Sequence, residues 1–553
     1  MSKLRGVIRM GLAVALLGCV AAAASGCGDD AEPGGGTATV LLAGGPGYLD
    51  PQLGYTTMAA EAAWIAYTPL LTYRHRGGAE GTRLIPGLAE SLPRISADGR
   101  RYTFTLRDDL RYSSGTPVRA SDFTHSIERA IRLGWGGRQF LTESIVGAEE
   151  YEAGQAGSIA GISTDDATGV IRISVRKPYG FFANLLALPA TAPVPGGTPF
   201  RDLSRDPPPG VGAYAIEDVA PHRGWTMVRN PGFERLDIPD IPTGSLDRIR
   251  VRIEPNARAA VEEVLQNRAD NLDPGTPLPL SMLDRIGALA ADRFEPRPIP
   301  STLYFFLNTS IAPFSSELAR RAVVTALDRP ALAEIGGGLL EPGCYLLPEG
   351  IAGHPSGRCP YGDADARGEL AAARELVAQS GTAGTEVVVW GEDSAPQRAF
   401  VRYYVRLLNR LGYRATERLV PPSEYFQTVG SPVTSPQTGL AKWFNDFPNP
   451  SDFYTVLDAR SIGAPDSANL GRVSDLFIQH QLDALNLVPA TDLGSVADDW
   501  KDLDEYTATK AYLAVFGAQR VPKLMSERID FDSAVVHPLF LSDWSSWSLK
   551  DGG

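Results

Sequence analysis

Hydrophobic and polar positions along the chain change period several times. Thr37 to Ala43 reads as a strand, followed by the turn-rich Gly44-Gly45-Pro46-Gly47 and by Leu49-Asp50-Pro51. Tyr102-Thr103-Phe104-Thr105-Leu106 alternates as a half-buried strand does. Ala120 to Leu133 then switches to helical spacing, with Phe123, Ile127, Ala130 and Ile131 on one face and Ser121 or Asp122 as its cap. Further strands are predicted at Val170 to Val175 and Arg248 to Ile253, and a helix at Ala257 to Asn267 with Val261, Val264 and Leu265 aligned. Gly210 to Tyr214 reads as a structural turn whose two glycines supply unusual backbone angles.

Near residue 300 the pattern becomes a regular alternation. Leu303 to Leu307 is a buried-type strand. Helices follow at Ser316 to Leu327, at Asp363 to Ser380 with Gly381 as its stop, and at Pro396 to Leu411 with Gly412 as its stop. Strands Thr385 to Trp390 and Tyr413 to Leu419 separate them. Strand and helix in turn predict an α/β fold. After Arg520-Val521-Pro522 the chain returns to short strand and turn segments, and nothing repeats at a fixed period.

Bulk composition narrows this little. The 553 residues exceed one ordinary domain, and 43% apolar with 21% charged residues suits a globular body. A net charge of −13 argues against nucleic acid as a partner. The N-terminus changes the picture more. Lys3, Arg5 and Arg9 precede an apolar run from Met10 to Ala24, too short for a typical membrane span. Ala24-Ser25-Gly26-Cys27 ends it, and Glu32-Pro33-Gly34-Gly35-Gly36 follows. This resembles the lipobox of bacterial lipoproteins, in which the cysteine is acylated, although Ala24 stands where leucine is preferred. Leu16-Leu17-Gly18-Cys19 is a competing site that leaves a shorter apolar run, and an ordinary cleaved signal is the third reading. Residues 1–26 are thus expected to be a signal peptide, 27–36 a flexible linker and Cys27 the lipidation site. Cys344 and Cys359 share a Pro/Gly-rich loop, and in an oxidising compartment a structural disulfide between them is the default.

The motifs, taken in order, resemble family 5 of the extracellular solute-binding proteins, the dipeptide-, oligopeptide- and nickel-binding group that serves ABC importers. They are Leu49-Asp50-Pro51, Tyr67-Thr68-Pro69-Leu70-Leu71, Pro86-Gly87-Leu88-Ala89-Glu90-Ser91, and Tyr102 to Arg107 with Gly115-Thr116-Pro117-Val118 and Ala120-Ser121-Asp122. Asn230-Pro231, Leu307-Asn308-Thr309, Pro313-Phe314, Arg321-Ala322 and Ala326 to Arg329 continue the series. Asp109 replaces the family's usual glycine, Ser114 an acid, and Gly210-Val211-Gly212-Ala213-Tyr214 its G-T-G-P-Y. The resemblance implies a periplasmic-binding-protein-like α/β fold of the type II, cluster C kind: two lobes, a hinge of two crossover strands and an extra β-rich subdomain. Residues 37–55, 208–298 and 523–553 would form lobe I, 56–207 the subdomain on it, and 302–520 lobe II. The crossovers would fall near Pro298-Ile299-Pro300 and Val521-Pro522, and closure would trap a ligand.

Trp443-Phe444-Asn445-Asp446-Phe447-Pro448 resembles the W-x-x-D stretch of the peptide binders. Carried over, Asp446 would pair with a peptide's amino group, Trp443 would wall a side-chain pocket, and Asn445 would flank them. The competing reading is an aspartate that caps a turn before Pro448 and a tryptophan of the core. Tyr55, Tyr304 and Trp390 are further candidates for an aromatic cleft. G-x-S-x-G, H-E-x-x-H and a Walker A lysine are missing, and the six histidines are scattered, so neither an enzyme nor a metal or other cofactor is expected. The expected role is a monomeric lipoprotein on the outer face of the cell membrane or in the periplasm. It would hand a peptide-like solute to permease subunits with separate ATPase chains. The alternatives are a same-fold receptor for a nickel chelate, an oligosaccharide or an opine, and a ligand sensor uncoupled from transport.

Overall fold

The computed structural model describes residues 35–463 and 467–550. The leader, Cys27 and all but the end of the linker lie outside them. Strand β1 (Thr37–Leu42) sends Ala38, Val40 and Leu42 into one core and Leu41 into another. Helix α1 (Thr57–Ala66) is capped by Thr56, whose Oγ1 accepts from the Ala59 N–H at 3.2 Å.

β2 (Arg101–Thr105) and β3 (Val170–Ser174) are the middle strands of a separate four-stranded antiparallel sheet. Helix α2 (Ala120–Leu133) buries Phe123, Ile127, Ala130 and Ile131 in the same core as Tyr102, Phe104, Ile171 and Ile173. Its start differs from the local expectation. Asp122 reaches back to the Arg119 N–H at 2.9 Å, while Ser121 is held through both its N–H and Oγ, at 2.8 Å each, by Asp166 from a turn 45 residues on.

The role of the Leu-Asp-Pro motif is visible here. Asp50 and Arg129 of α2 are both fully buried, and the guanidinium donates to Asp50 Oδ1 and Oδ2 at 2.6 and 2.5 Å. Its other N–H groups reach Gln52 Oε1 and the carbonyls of Pro199 and Arg201 at 2.7 to 2.9 Å. The ion pair therefore ties the loop after β1 to α2. Asp109 adopts φ 54°, the left-handed region that favours glycine. Gly210 and Gly212 need no unusual angle. A Cβ there would lie 2.2 Å from the Ala66 carbonyl and 2.4 Å from that of Ile65, so glycine serves a close backbone approach to the end of α1.

Helix α3 (Arg138–Ser144) precedes the antiparallel pair β4 (Tyr214–Ala220) and β5 (Gly224–Arg229). β6 (Arg248–Ile253) pairs in parallel with β1. Helix α4 (Ala257–Leu265) stops short of Asn267, which turns left-handed at φ 56°. β7 (Asn271–Leu272), β8 (Phe294–Pro298) and β9 (Ser301–Leu307) follow. β9 is buried on both faces: Leu303, Phe305 and Leu307 join one core, Tyr304 and Phe306 another.

After α5 (Glu317–Ala326), helix α6 (Leu370–Ser380) begins later than the pattern suggests. A Cβ on Gly368 would sit 2.1 Å from the Ala326 carbonyl, and the Glu369 N–H donates to Thr325 O at 2.9 Å. The preceding residues are thus pinned to the end of α5 instead of coiling. β10 (Glu386–Glu392), α7 (Ala395–Leu411) and β11 (Arg414–Val420) form a parallel βαβ unit. Left-handed Gly381 and Gly412 end α6 and α7. β12 (Thr438–Phe444) and β13 (Leu513–Met525) complete a twelve-stranded sheet whose main order is β11-β10-β12-β9-β13-β7-β1-β6-β5-β4.

Both connections between the halves of this sheet are strands. β13 pairs with β9 through Leu513 to Gly517 and with β8 through Arg520 to Leu524. The Cys344–Cys359 disulfide, with Cα atoms 5.9 Å apart, closes a loop beside this crossing. Among the described residues no helix is long and apolar enough to cross a membrane.

Replacing Arg129 with Met would leave Asp50 buried without a counter-charge. The expected loss is about 3–5 kcal/mol of unfolding free energy, to be read by urea denaturation with both fluorescence and far-UV circular dichroism.

Candidate functional site

The site grows from the end of β12. Trp443 and Phe444 finish the strand, the chain turns through Asn445 to Asn449, and helix α8 (Pro450–Tyr454) begins. Asn449 caps it, accepting from the Ser451 N–H at 3.0 Å, and Pro450 stands in its first turn. Asp452 organises this turn. It is only 4% exposed, and its Oδ2 accepts from the Trp443 indole at 3.2 Å and from the Asp446 N–H at 3.0 Å. With its backbone held, Asp446 projects its carboxylate into the space between the halves of the molecule.

The opposing wall comes from the first half. Tyr55 points its hydroxyl at Asp446 Oδ1, a long contact of 3.5 Å, and stacks edge-on against Trp135 with ring centroids 5.6 Å apart. Trp135 is fixed in turn by its indole N–H to Gly54 O at 3.1 Å. Phe447 crosses the gap. It packs against Phe140 of α3 at 5.9 Å and lies nearly parallel to Phe181 at 5.3 Å, so that it belongs to the core of the first half. Gly180 makes the other bridge: its N–H donates to Asn486 O at 2.7 Å and its carbonyl accepts from Ala490 N–H at 2.6 Å.

Two chambers meet at Phe140 and Asp446. The smaller, about 140 Å³, is walled by Tyr55, Trp135, Leu188, Phe540, Asn445 and Asp446. The larger, about 540 Å³, is walled by Lys177, Phe181, Trp443, Asp446, Asp452 and Arg460, among others. Acidic groups dominate their junction. Burial by the cleft walls raises the pKa of Asp446, which the Tyr55 hydroxyl offsets in part. Asp452 is pushed well above the usual carboxylate range, by burial first and by the charge of Asp446 second. The Tyr55 phenol is raised for the same reasons, burial foremost and then both carboxylates. Among the described residues no lysine, arginine or histidine forms an ion pair with Asp446 or Asp452. Asn445 Nδ2 is buried without a hydrogen-bond partner.

Four of the residues singled out in the sequence therefore come together: Tyr55, Trp443, Asn445 and Asp446. Tyr304 and Trp390 do not. Both are buried in the core of the second half, because helices and loops cover both faces of β9 and β10 there, and neither lines a chamber. Arg418 stacks on Trp390 at 4.3 Å and occupies the face a ligand would need. Asp452, Phe140, Lys177 and Phe181 were not legible as site residues. Asp452 carries a weak local signal, an acid in the first turn of a proline-started helix, but the other three reach the cleft only through tertiary packing.

A second grouping, His75, Asp543 and Ser545, has the residue types of a nucleophilic triad but not the arrangement. Asp543 Oδ2 and Ser545 Oγ approach the same His75 nitrogen, at 2.8 and 3.4 Å, and all three are buried, with the imidazole stacked under Trp64. The second ring nitrogen is thus not in line with the serine, and the cluster locks the C-terminal segment to β-hairpin and α1 residues.

Comparison with known proteins supplies a family. The model of the bacterial extracellular solute-binding proteins, family 5, middle region, matches residues 83–463, more than half of the chain. The dipeptide-binding protein DppE of Bacillus subtilis is 24% identical over 347 residues, 60% of each chain. The periplasmic oligopeptide-binding protein OppA of Escherichia coli is 26% identical over 254 residues, 44% of this chain and 45% of its own length. The chain thus spans about half of these relatives. In shape, the solved structure of "Clavulanic acid biosynthesis oligopeptide binding protein 2" superposes with a TM-score of 0.83 at 24% identity, over 93% of this chain and 96% of the other. At that identity it speaks for the fold.

A Cβ on Gly180 would fall 2.4 Å from the Val488 carbonyl, so Gly180→Val must push the two walls apart. The radius of gyration from small-angle scattering is expected to rise in the variant without ligand, with the far-UV circular dichroism unchanged.

Proposed function

Because the chain belongs to the bacterial extracellular solute-binding proteins, family 5, we propose that it captures a peptide, or a peptide-like solute with a free amine, and delivers it to an importer. The observation that carries this is Asp446: a carboxylate open to an interlobe cleft, backed by a second acid, with no basic partner among the described residues. A charged ammonium is the group such a site lacks, and in a partly desolvated cleft the pairing is strong and selects for a free amine. Trp443 and Tyr55 offer apolar walls on opposite sides, and the unpartnered Asn445 Nδ2 offers a donor to a ligand carbonyl. Relatives whose names declare dipeptide and oligopeptide binding support the same class of cargo.

In this reading residues 37–55, 208–298 and 523–553 make lobe I, 56–207 a subdomain upon it, and 302–520 lobe II. The lobes close over the cargo by torsion at the two crossover strands. The protein acts outside the cytoplasm as a monomer, tethered through an acylated Cys27, and leaves its cargo chemically unchanged. Permease subunits and their separate ATPase chains do the transport.

The test is a screen of di- to hexapeptides by thermal midpoint, confirmed by calorimetry, each against its N-acetylated form. Free-amine peptides are expected to bind and acetylated ones to lose about 10–100-fold in affinity, as Asp446→Asn should. Binding that survives acetylation would overturn the assignment of Asp446. Because the cleft raises the pKa of Asp446, the empty site favours the protonated acid more than free aspartate does, while a bound ammonium favours the carboxylate. Affinity should therefore hold above that raised pKa and fall as pH drops through it, with proton release on binding visible as a buffer-dependent heat.

A further inference from the structure

The first cation leaves one acid unanswered. Asp452 is 4% exposed, and only its Oδ2 is engaged by the protein, by the Trp443 indole and the Asp446 N–H. Its Oδ1 accepts no hydrogen bond among those the described residues make, and Asp452 forms part of the wall of the larger chamber. The basic groups of that chamber do not meet it. Arg460 is spent on Asp458 and Asp483 at 2.8 and 3.1 Å. Lys177, from the opposite wall, rests on the Tyr179 ring at 5.1 Å. With Glu143 also on the rim, the wall around Asp452 stays negative after every pairing present has been counted.

We propose that Asp452 is a second cation subsite, so that the larger chamber takes an ammonium or guanidinium carried by a side chain of the ligand, distinct from the amino group held at Asp446. This rests on the cleft being the ligand site. A buried carboxylate without a counter-charge is costly, and a ligand that supplies the missing cation recovers that cost as affinity. The Trp443 ring beside it adds an electron-rich face. Asp452 thereby selects among amine-bearing ligands: those with one positive centre satisfy Asp446 alone, those with two satisfy both. The chamber's 540 Å³ leaves room for a long, flexible side chain.

The experiment titrates the purified protein with matched peptides that differ at one position, lysine against norleucine, which has nearly the same apolar shape without the charge. The lysine member is expected to bind about tenfold or more tightly. In Asp452→Asn, an isosteric change, the lysine-to-norleucine ratio should shrink to within about twofold; Asp446→Asn should weaken both members and leave their ratio. Equal binding of the pair by the unaltered protein, or an undiminished ratio in Asp452→Asn, overturns the subsite but not the peptide-binding role. The wild-type ratio needs no variant, so a poorly folded Asp452→Asn does not shelter the proposal. If no peptide binds, 1,5-diaminopentane against pentylamine becomes the probe pair. A diamine preference lost in Asp452→Asn keeps the subsite and sinks peptide cargo; no binding of either amine sinks both.

Discussion

Strand β13 must keep its backbone hydrogen bonds on both sides of the crossing, with β9 up to Gly517 and with β8 from Arg520. Buried N–H and C=O groups without partners are expensive, so neither half can peel away from it. In the proposed closure, the halves move by torsion where the strand changes partners. Phe447, between Phe140 and Phe181, and the Gly180 clasp bridge the two halves.

Buried carboxylates are treated in three ways in this molecule. Asp50 is matched by a fork of guanidinium donors and fastens the loop after β1 to α2. Glu61 and Asp273 are buried beside each other, and each has a raised pKa, Asp273 to about 6, chiefly through burial. Asp446 and Asp452 have no cationic partner among the described residues, and both line the cleft. The first arrangement is complete within the protein, whereas Glu61 Oε2 and Asp273 Oδ2 are buried without a hydrogen-bond partner. In the proposed function the third is completed by the cation of a ligand.

Much of this architecture could be read from the residues. The boundaries of α2 and β6 agree with the periodicity, and Gly381 and Gly412 end their helices as the pattern implied. The errors share one cause, a distant contact overruling a local signal. Asp166 holds the start of α2 from another turn, and Gly368 is pressed against α5, which delays α6. Tyr304 and Trp390 looked like cleft aromatics, but alternation along a strand does not say which face is covered when both are.

By itself the sequence determined the period of each element, the α/β alternation, the glycines that end helices, and the acid and tryptophan at the end of β12. These depend on backbone geometry and on side chains a few residues apart, which the local chain order contains. Only the tertiary structure decided that Tyr55 and Trp135 face Asp446, and that Phe140, Lys177 and Phe181 join Asp452 in the wall of the larger chamber. Those juxtapositions join segments hundreds of positions apart, and they form because burying apolar surface on a shared sheet brings together residues that no local pattern links.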